Sequence, residues 1–160
     1  MPRAPQAPTD VRIVDYADRH HSAFRALNLA WISEHFEVED SDRAVLDDPR
    51  AGILEQGGII LMAEDEERPL GCVALLQEPD GVYELAKLAV DPAARGRGIG
   101  ILLTRAAIDR ARALGARRVE LLSNSALANA LALYRKVGFV QVPVGDTVYQ
   151  RADVRMVLDL

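Results

Sequence analysis

The sequence has a single cysteine, Cys72, which excludes an internal disulfide framework and a cysteine-rich metal site. Its three histidines, His20, His21 and His35, are not spaced like metal ligands, and no Cys or Asp/Glu cluster completes a set. No metal is expected, and all three histidines read as surface residues. No apolar run approaches the roughly 20 residues that a membrane span needs. Met1 to Pro8 contains no apolar stretch of the kind a signal peptide carries. Residues 1–9 therefore read as a flexible tail, and the cytoplasm is the default compartment. Aromatic residues make up only 5% of the chain, and the basic residues are spread over helices and strands with few aromatics between them, which argues against nucleic acid as a partner. No repeat, linker or low-complexity segment interrupts residues 10–160, which read as one domain.

What is present is ordinary for a globular protein: 160 residues, 49% hydrophobic and 27% charged, enough to bury a proper core. The net charge of −5 conceals an asymmetry. Residues 1–80 carry 7 basic and 17 acidic side chains, and residues 81–160 carry 12 basic and 7 acidic. Such segregation suggests an anionic ligand for the second half and a cationic one for the first. The plain alternative is a pair of solvated faces.

Alternation and turn signals predict a strand at Val11–Val14, a helix from Asp18 to about Glu37, and a short helix over Ser41–Asp47 that stops at Pro49. Three strands follow, Ile59–Ala63, Leu70–Gln77 and Val82–Val90, joined by short polar turns as an antiparallel meander. The second half reads as a helix over Ile101–Leu114, a strand at Arg118–Leu122, a helix over Ala128–Val137, and a last antiparallel pair, Phe139–Val142 with Val148–Leu158. That order implies one parallel crossover within a mostly antiparallel sheet, an α+β domain.

The sharpest signal lies between the third strand of the meander and the next helix: Arg95-Gly96-Arg97-Gly98-Ile99-Gly100-Ile101. Glycines let the backbone turn its N–H groups into one concavity, and the helix starting near Gly98 aims its positive end there. With Arg95 and Arg97 added, this is a pyrophosphate cradle. A P-loop is ruled out because no Gly-Lys-Ser/Thr ends the run. A dinucleotide fingerprint is disfavoured: Ile101 stands where the third glycine belongs, although Glu120 lies at the distance of a ribose-binding acid.

Here the sequence resembles the GNAT superfamily of acyl-CoA-dependent N-acetyltransferases. Arg95-x-x-Gly98-x-Gly100 matches that family's acyl-CoA loop, and Ala130-x-x-Leu133-Tyr134-Arg135-Lys136-Val137-Gly138-Phe139 matches its second signature. The resemblance spans residues 10–160. It implies a mixed, mostly antiparallel sheet of about seven strands with one splayed parallel pair, flanked by about four helices. It also implies acetyl-CoA as cosubstrate, held by residues Arg95 to Ile101 and by backbone groups of Leu88, Ala89 and Val90, one of whose amides would face the developing oxyanion. An asparagine that often contacts the pantetheine arm is replaced by Leu127; Asn124, just after a strand, is the expected substitute, and Asn129 is expected to cap or open the helix.

Moving an acetyl group from a thioester to an amine requires a base for the amine, since an amine of pKa about 10 is protonated at neutral pH, and an acid for the leaving thiolate. The resemblance assigns the acid to Tyr134, whose plain alternative is core packing beside Leu131 and Phe139. It assigns the base to Glu84, whose alternative is a solvated carboxylate paired with Lys87; Glu34 and Glu37 stand in reserve. Trp31, Glu34 and Phe36 are expected to wall the acceptor pocket. The cluster of Glu34, Glu37, Glu39, Asp40 and Asp42 suggests a cationic small-molecule or peptide amine. Cys72 reads as a buried small hydrophobe. The last strands can pair between chains to make a homodimer. A non-catalytic acyl-CoA-binding module is the alternative to an enzyme.

Overall fold

The computed structural model describes residues 11–145 and 151–160. The expected tail at residues 1–9, and Val148 and Tyr149 at the start of the expected last strand, lie outside the described residues. Seven strands form one sheet: β1 (Arg12–Asp15), β2 (Ile59–Asp65), β3 (Arg68–Glu78), β4 (Val82–Val90), β5 (Arg118–Ser123), β6 (Val140–Val142) and β7 (Val154–Asp159). Their order across the sheet is β1-β2-β3-β4-β5-β7-β6. The helices are α1 (His21–His35), α2 (Asp40–Asp47), α3 (Ile99–Ala113) and α4 (Ala128–Val137). A π-helical turn at Arg50–Leu54, unforeseen in the sequence, follows Pro49.

Strand β7 begins at Val154, and residues 151–153 are not part of the ladder. Side-chain bonds there compete with strand pairing: the Asp153 carboxylate accepts from Ser125 N–H and Oγ–H, and the Arg151 carbonyl accepts from Asn124 Nδ2.

Each face of the sheet carries its own core. On one side α3 and α4 pack Leu103, Ala107, Leu131, Tyr134 and Phe139 against Tyr83, Leu85, Val119 and Leu121. On the other, α1 and α2 pack Phe24, Ile32 and Leu46 against Ile60, Met62, Cys72, Ala74 and Ala89. The sheet between them is continuous except at one place. Strands β4 and β5 pair in parallel only from Val82–Glu84 to Arg118–Glu120 and then diverge, so among the described residues the remainder of β4 has no paired strand on that edge.

Strand β4 is also bulged. Cys72 pairs with Ala89 and Ala74 with Ala86, so Val73 faces two residues, Lys87 and Leu88. Lys87 absorbs the extra length at φ +58°, a left-handed conformation rare for a side chain of its size. The bulge shifts the alternation by one residue. Tyr83 and Leu85 face the α3–α4 core before it, whereas Ala89 faces the α1–α2 core after it.

Close packing behind the meander gives one stability prediction. A Cβ on Gly58 would lie 2.6 Å from the Leu75 carbonyl oxygen and 2.9 Å from that of Ile53. Gly58→Ala should therefore cost about 1–3 kcal/mol by overpacking. An unchanged urea midpoint for that variant would show that the turn yields more readily than its contacts suggest.

Candidate functional site

The divergence of β4 from β5 opens a cleft through the sheet, and two connected spaces occupy it. The outer one, about 640 Å³, runs between the loop before α3 and the start of α4. Arg95, Gly96, Gly98, Gly100 and Ile101 form one wall and Ala126 to Asn129 the other. Gly96 and Gly98 have φ of +83° and +75°, conformations open to glycine and strained for other residues. Gly98 is the N-cap of α3 and has no side chain to satisfy the first-turn N–H groups. Those donors, with the helix dipole behind them, form a ready anion site, so the loop fits the pyrophosphate expected there.

The inner space, about 100 Å³, lies deeper. Strand β4 contributes Glu84 and Lys87 to its wall, α1 contributes Asn28, Trp31 and Ile32, and α4 contributes Ala130 and Tyr134. Phe36 and Arg151 also line it. Trp31, Leu88, Leu127, Ala130 and Tyr134 line both spaces and mark their junction.

Tyr134 is buried on α4, and its ring meets Phe139 edge-on at 5.9 Å. The ring packs in the core, and the residue also borders the cleft. Burial pushes its phenol up to about 12, so it keeps its proton throughout the physiological range. Glu84 forms no ion pair or side-chain hydrogen bond among the described residues; Lys87 turns to Asp42 instead, at 3.6 Å. Burial chiefly, with Glu78 and Glu120 adding and Lys87 opposing, raises the Glu84 carboxyl to about 7. A buried acid and a carboxyl poised at neutrality thus share one cavity.

Other expected residues take different places. Arg95 is held by Glu34 in a two-pronged ion pair across the mouth of the outer space. Glu34 therefore belongs to the outer wall and is absent from the inner one. Arg97 turns away; its Nη2 is buried 3.7 Å from Asp65 and has no hydrogen-bond partner among the described residues. Asn124 lines the inner space, and its amide is engaged by the Arg151 carbonyl and the Ala126 N–H. Asn129 does not cap α4, whose N-cap is Leu127, but stands in its opening turn and borders the outer space.

The acidic cluster is largely consumed internally. Asp42 and Glu39 bind Arg151, Glu34 binds Arg95, and Asp40 binds Arg43. Lys87–Asp42, Arg97–Asp65 and Arg110–Asp15 likewise join the basic half to the acidic half. The charge asymmetry thus goes in part into ion pairs that join the two halves.

His20 is buried, against expectation. Its Nδ1 accepts from the Ala17 N–H, so the Nε2 proton faces Glu64 at 3.0 Å. Nothing in the run Arg19-His20-His21 signals that a carboxylate 44 residues away will meet it. Cys72 is buried as expected, and burial raises its thiol to about 12, unsuited to nucleophilic attack. Among the described residues no group of three or more His, Cys, Asp or Glu is placed to hold a metal, and no helix is long and apolar enough to cross a membrane.

Comparison with known proteins adds the following. Residues 21–139 match the model of the acetyltransferase (GNAT) family. A mycothiol acetyltransferase of Clavibacter michiganensis is 35% identical over 127 residues, which is 79% of this chain and 41% of that protein. The chain spans about half or less of the length of the mycothiol acetyltransferases it matches. Among solved structures, a GNAT-family acetyltransferase from Staphylococcus aureus Mu50 superposes with a TM-score of 0.85 at 17% identity, covering 93% of this chain and 98% of that one. A Bacillus subtilis acetyltransferase solved in complex with CoA gives a TM-score of 0.73 at 23% identity, covering 94% and 99%.

Proposed function

Because the chain belongs to the GNAT acetyltransferase family, we propose that it moves the acetyl group of acetyl-CoA to an amine by direct attack in a ternary complex. Residues 10–160 act as one acetyltransferase domain in this reading, in a cytoplasmic setting. The observation that carries it is the junction of the two spaces at Tyr134, with Glu84 in the inner one alone.

Acetyl-CoA, when bound, supplies an activated acyl group on a thioester. The outer space is the larger and has the anion-binding loop, which suits it to the pyrophosphate and pantetheine. The unpaired edge of β4 at Leu88, Ala89 and Val90 offers backbone groups to the same arm. Glu84 accepts a proton from the amine as the N–C bond forms. Tyr134 donates its phenolic proton to sulfur as the C–S bond breaks. Holding both reactants at one junction turns a bimolecular encounter into a positioned one.

The test is thiol release from acetyl-CoA across a panel of amines and peptides. Release with one class of amine supports the reading. Acetyl-CoA binding without release from any amine would favour a non-catalytic acyl-CoA-binding module.

The Glu34–Arg95 pair yields a further expectation. Any phosphate that recruits Arg95 must first compete with Glu34. Glu34→Gln should therefore tighten acetyl-CoA binding by about two- to fivefold, a modest gain because both partners are solvent-exposed. Calorimetric titration would measure it, and weaker binding in the variant would mean that the pair itself shapes the cofactor site.

A further inference from the structure

The acetyl-transfer reading gives no task to Asn28, which α1 places on the wall of the inner space. The residue is 2% exposed, a depth at which a carboxamide is normally hydrogen-bonded at both ends. Only the nitrogen end meets that expectation. Nδ2 donates to the Phe24 carbonyl at 2.9 Å, one turn back along the helix, and to Cys72 Sγ at 3.4 Å. These contacts use both amide hydrogens and settle which end is nitrogen, since a backbone carbonyl can only accept. Oδ1 has no partner among the described residues. The buried side-chain polar atom that lacks a partner there is Arg97 Nη2, so Oδ1, unpartnered as well, is open to the space.

The polar side chains around it divide by what they can offer. The Trp31 indole N–H only donates, and the Tyr134 hydroxyl gives its proton to sulfur in the proposed reaction. The Asn124 amide is taken at both ends, by the Arg151 carbonyl and the Ala126 N–H. Lys87 and Arg151 are held by Asp42, and Arg151 by Glu39 as well, so neither is given a ligand here. Ser123 is half-buried, and its hydroxyl can turn to donate or to accept. Two groups accept without also donating: the Glu84 carboxylate and Asn28 Oδ1. Tyr83 and Leu85 face the α3–α4 core, so Glu84 between them projects to the α1 side of the sheet, where Asn28 lies between the core residues Phe24 and Ile32.

Resting on the acetyltransferase reading, we propose that Asn28 Oδ1 holds the attacking nitrogen of the acceptor through the N–H that is not transferred. A neutral primary amine has four directions to fill: its carbon chain, a lone pair and two N–H bonds. The lone pair points at the thioester carbon. One N–H faces Glu84, which takes that proton as the N–C bond forms and the C–S bond breaks. The other rests on Oδ1 and stays on nitrogen in the amide product, while CoA leaves as the thiol with the Tyr134 proton. Two fixed acceptors thus stop the nitrogen from rotating its lone pair away from the carbonyl. An amide oxygen suits this post better than a second carboxylate, because it binds the N–H without competing for the proton. A secondary amine has one N–H and would leave either Glu84 or Oδ1 facing carbon.

The experiment follows thiol release from acetyl-CoA with matched pairs of amines: phenethylamine and N-methylphenethylamine, glycine and sarcosine, putrescine and N,N′-dimethylputrescine. On the unmodified protein the primary member of each accepted pair should exceed its methylated partner in kcat/KM by at least about tenfold. Asn28→Leu keeps the bulk of the side chain and removes Oδ1, so discrimination by size alone would persist in it. Instead it should lower kcat/KM for the primary amine about tenfold, leaving the methylated amine and the KM for acetyl-CoA within about twofold of the parent. If loss of the bonds to Phe24 and Cys72 prevents that variant from folding, Asn28→Ala replaces it. There a size effect would raise turnover of the methylated amine, whereas loss of Oδ1 lowers turnover of the primary one. Equal turnover of both members of a pair by the parent, or an undiminished primary-amine rate in the variant, would overturn the proposal and leave acetyl transfer standing. Acetyl-CoA binding with no turnover of any amine would overturn both.

Discussion

Tyr134→Phe is expected to lower kcat by about 10²-fold or more while leaving acetyl-CoA affinity within about twofold of the parent. The phenylalanine keeps the ring that packs edge-on against Phe139, so the fold and the walls of both spaces survive. Only the hydroxyl is lost. Burial that pushes the phenol up to about 12 also raises the basicity of a thiolate forming beside it, which is what would let the proton pass to sulfur. Stopped-flow measurement under single turnover separates this effect from product release. A variant with the parent's chemical rate would require that the sulfur take its proton from solvent, and Tyr134 would then be a packing residue alone.

Glu84→Gln should move activity and stability in opposite directions. A base of pKa about 7 works in its deprotonated form, so kcat/KM of the parent rises through neutrality, and the variant should lose that limb together with about 10²-fold in rate. Stability follows the same group with the other sign. The folded-state value lies above the ordinary carboxyl value of 4.5, so the folded protein holds the proton more tightly than the unfolded chain does. No penalty exists below about pH 4.5; it grows as pH rises through neutrality and is complete above the folded value. Its size is on the order of 3 kcal/mol. Gln carries no such charge, so the variant should melt several degrees higher than the parent at pH 8, with the gap closing toward pH 4.5. Equal melting temperatures at pH 8 would mean that water reaches the carboxylate, and the case for a tuned base would fall with it.

Much of this architecture is legible in the chain. The meander, the parallel crossover and four helices follow from alternation, helical spacing and turn residues, and the glycine loop stands out because left-handed turns need glycine. Tertiary pairing is what escapes. The acidic cluster looks like a surface when read in order, yet Arg151 lies more than a hundred positions from its partners Asp42 and Glu39. His20 reads as exposed for the same reason. Lys87 is the harder case: a β-bulge with a lysine in the left-handed position has no glycine to mark it, so Val82–Val90 reads as one uninterrupted strand. Missing the bulge hides the fact that Glu84 and Lys87 line a common cavity.

For the proposed reaction, that bulge also divides β4 into two lengths with different demands. Upstream of Lys87 the strand acts through the identity of a side chain, and a change at Glu84 changes the chemistry. Downstream, at Leu88–Val90, it acts through main-chain atoms that every residue but proline can provide. Mutation can therefore vary the partly buried Leu88 and Val90 more readily than Ala89, which packs in the α1–α2 core, and can hardly vary the length at all, because one residue gained or lost would undo the offset between the two. In that reading, cofactor contact and proton transfer fall to adjoining segments of a single strand, and a change in one segment leaves the other in place.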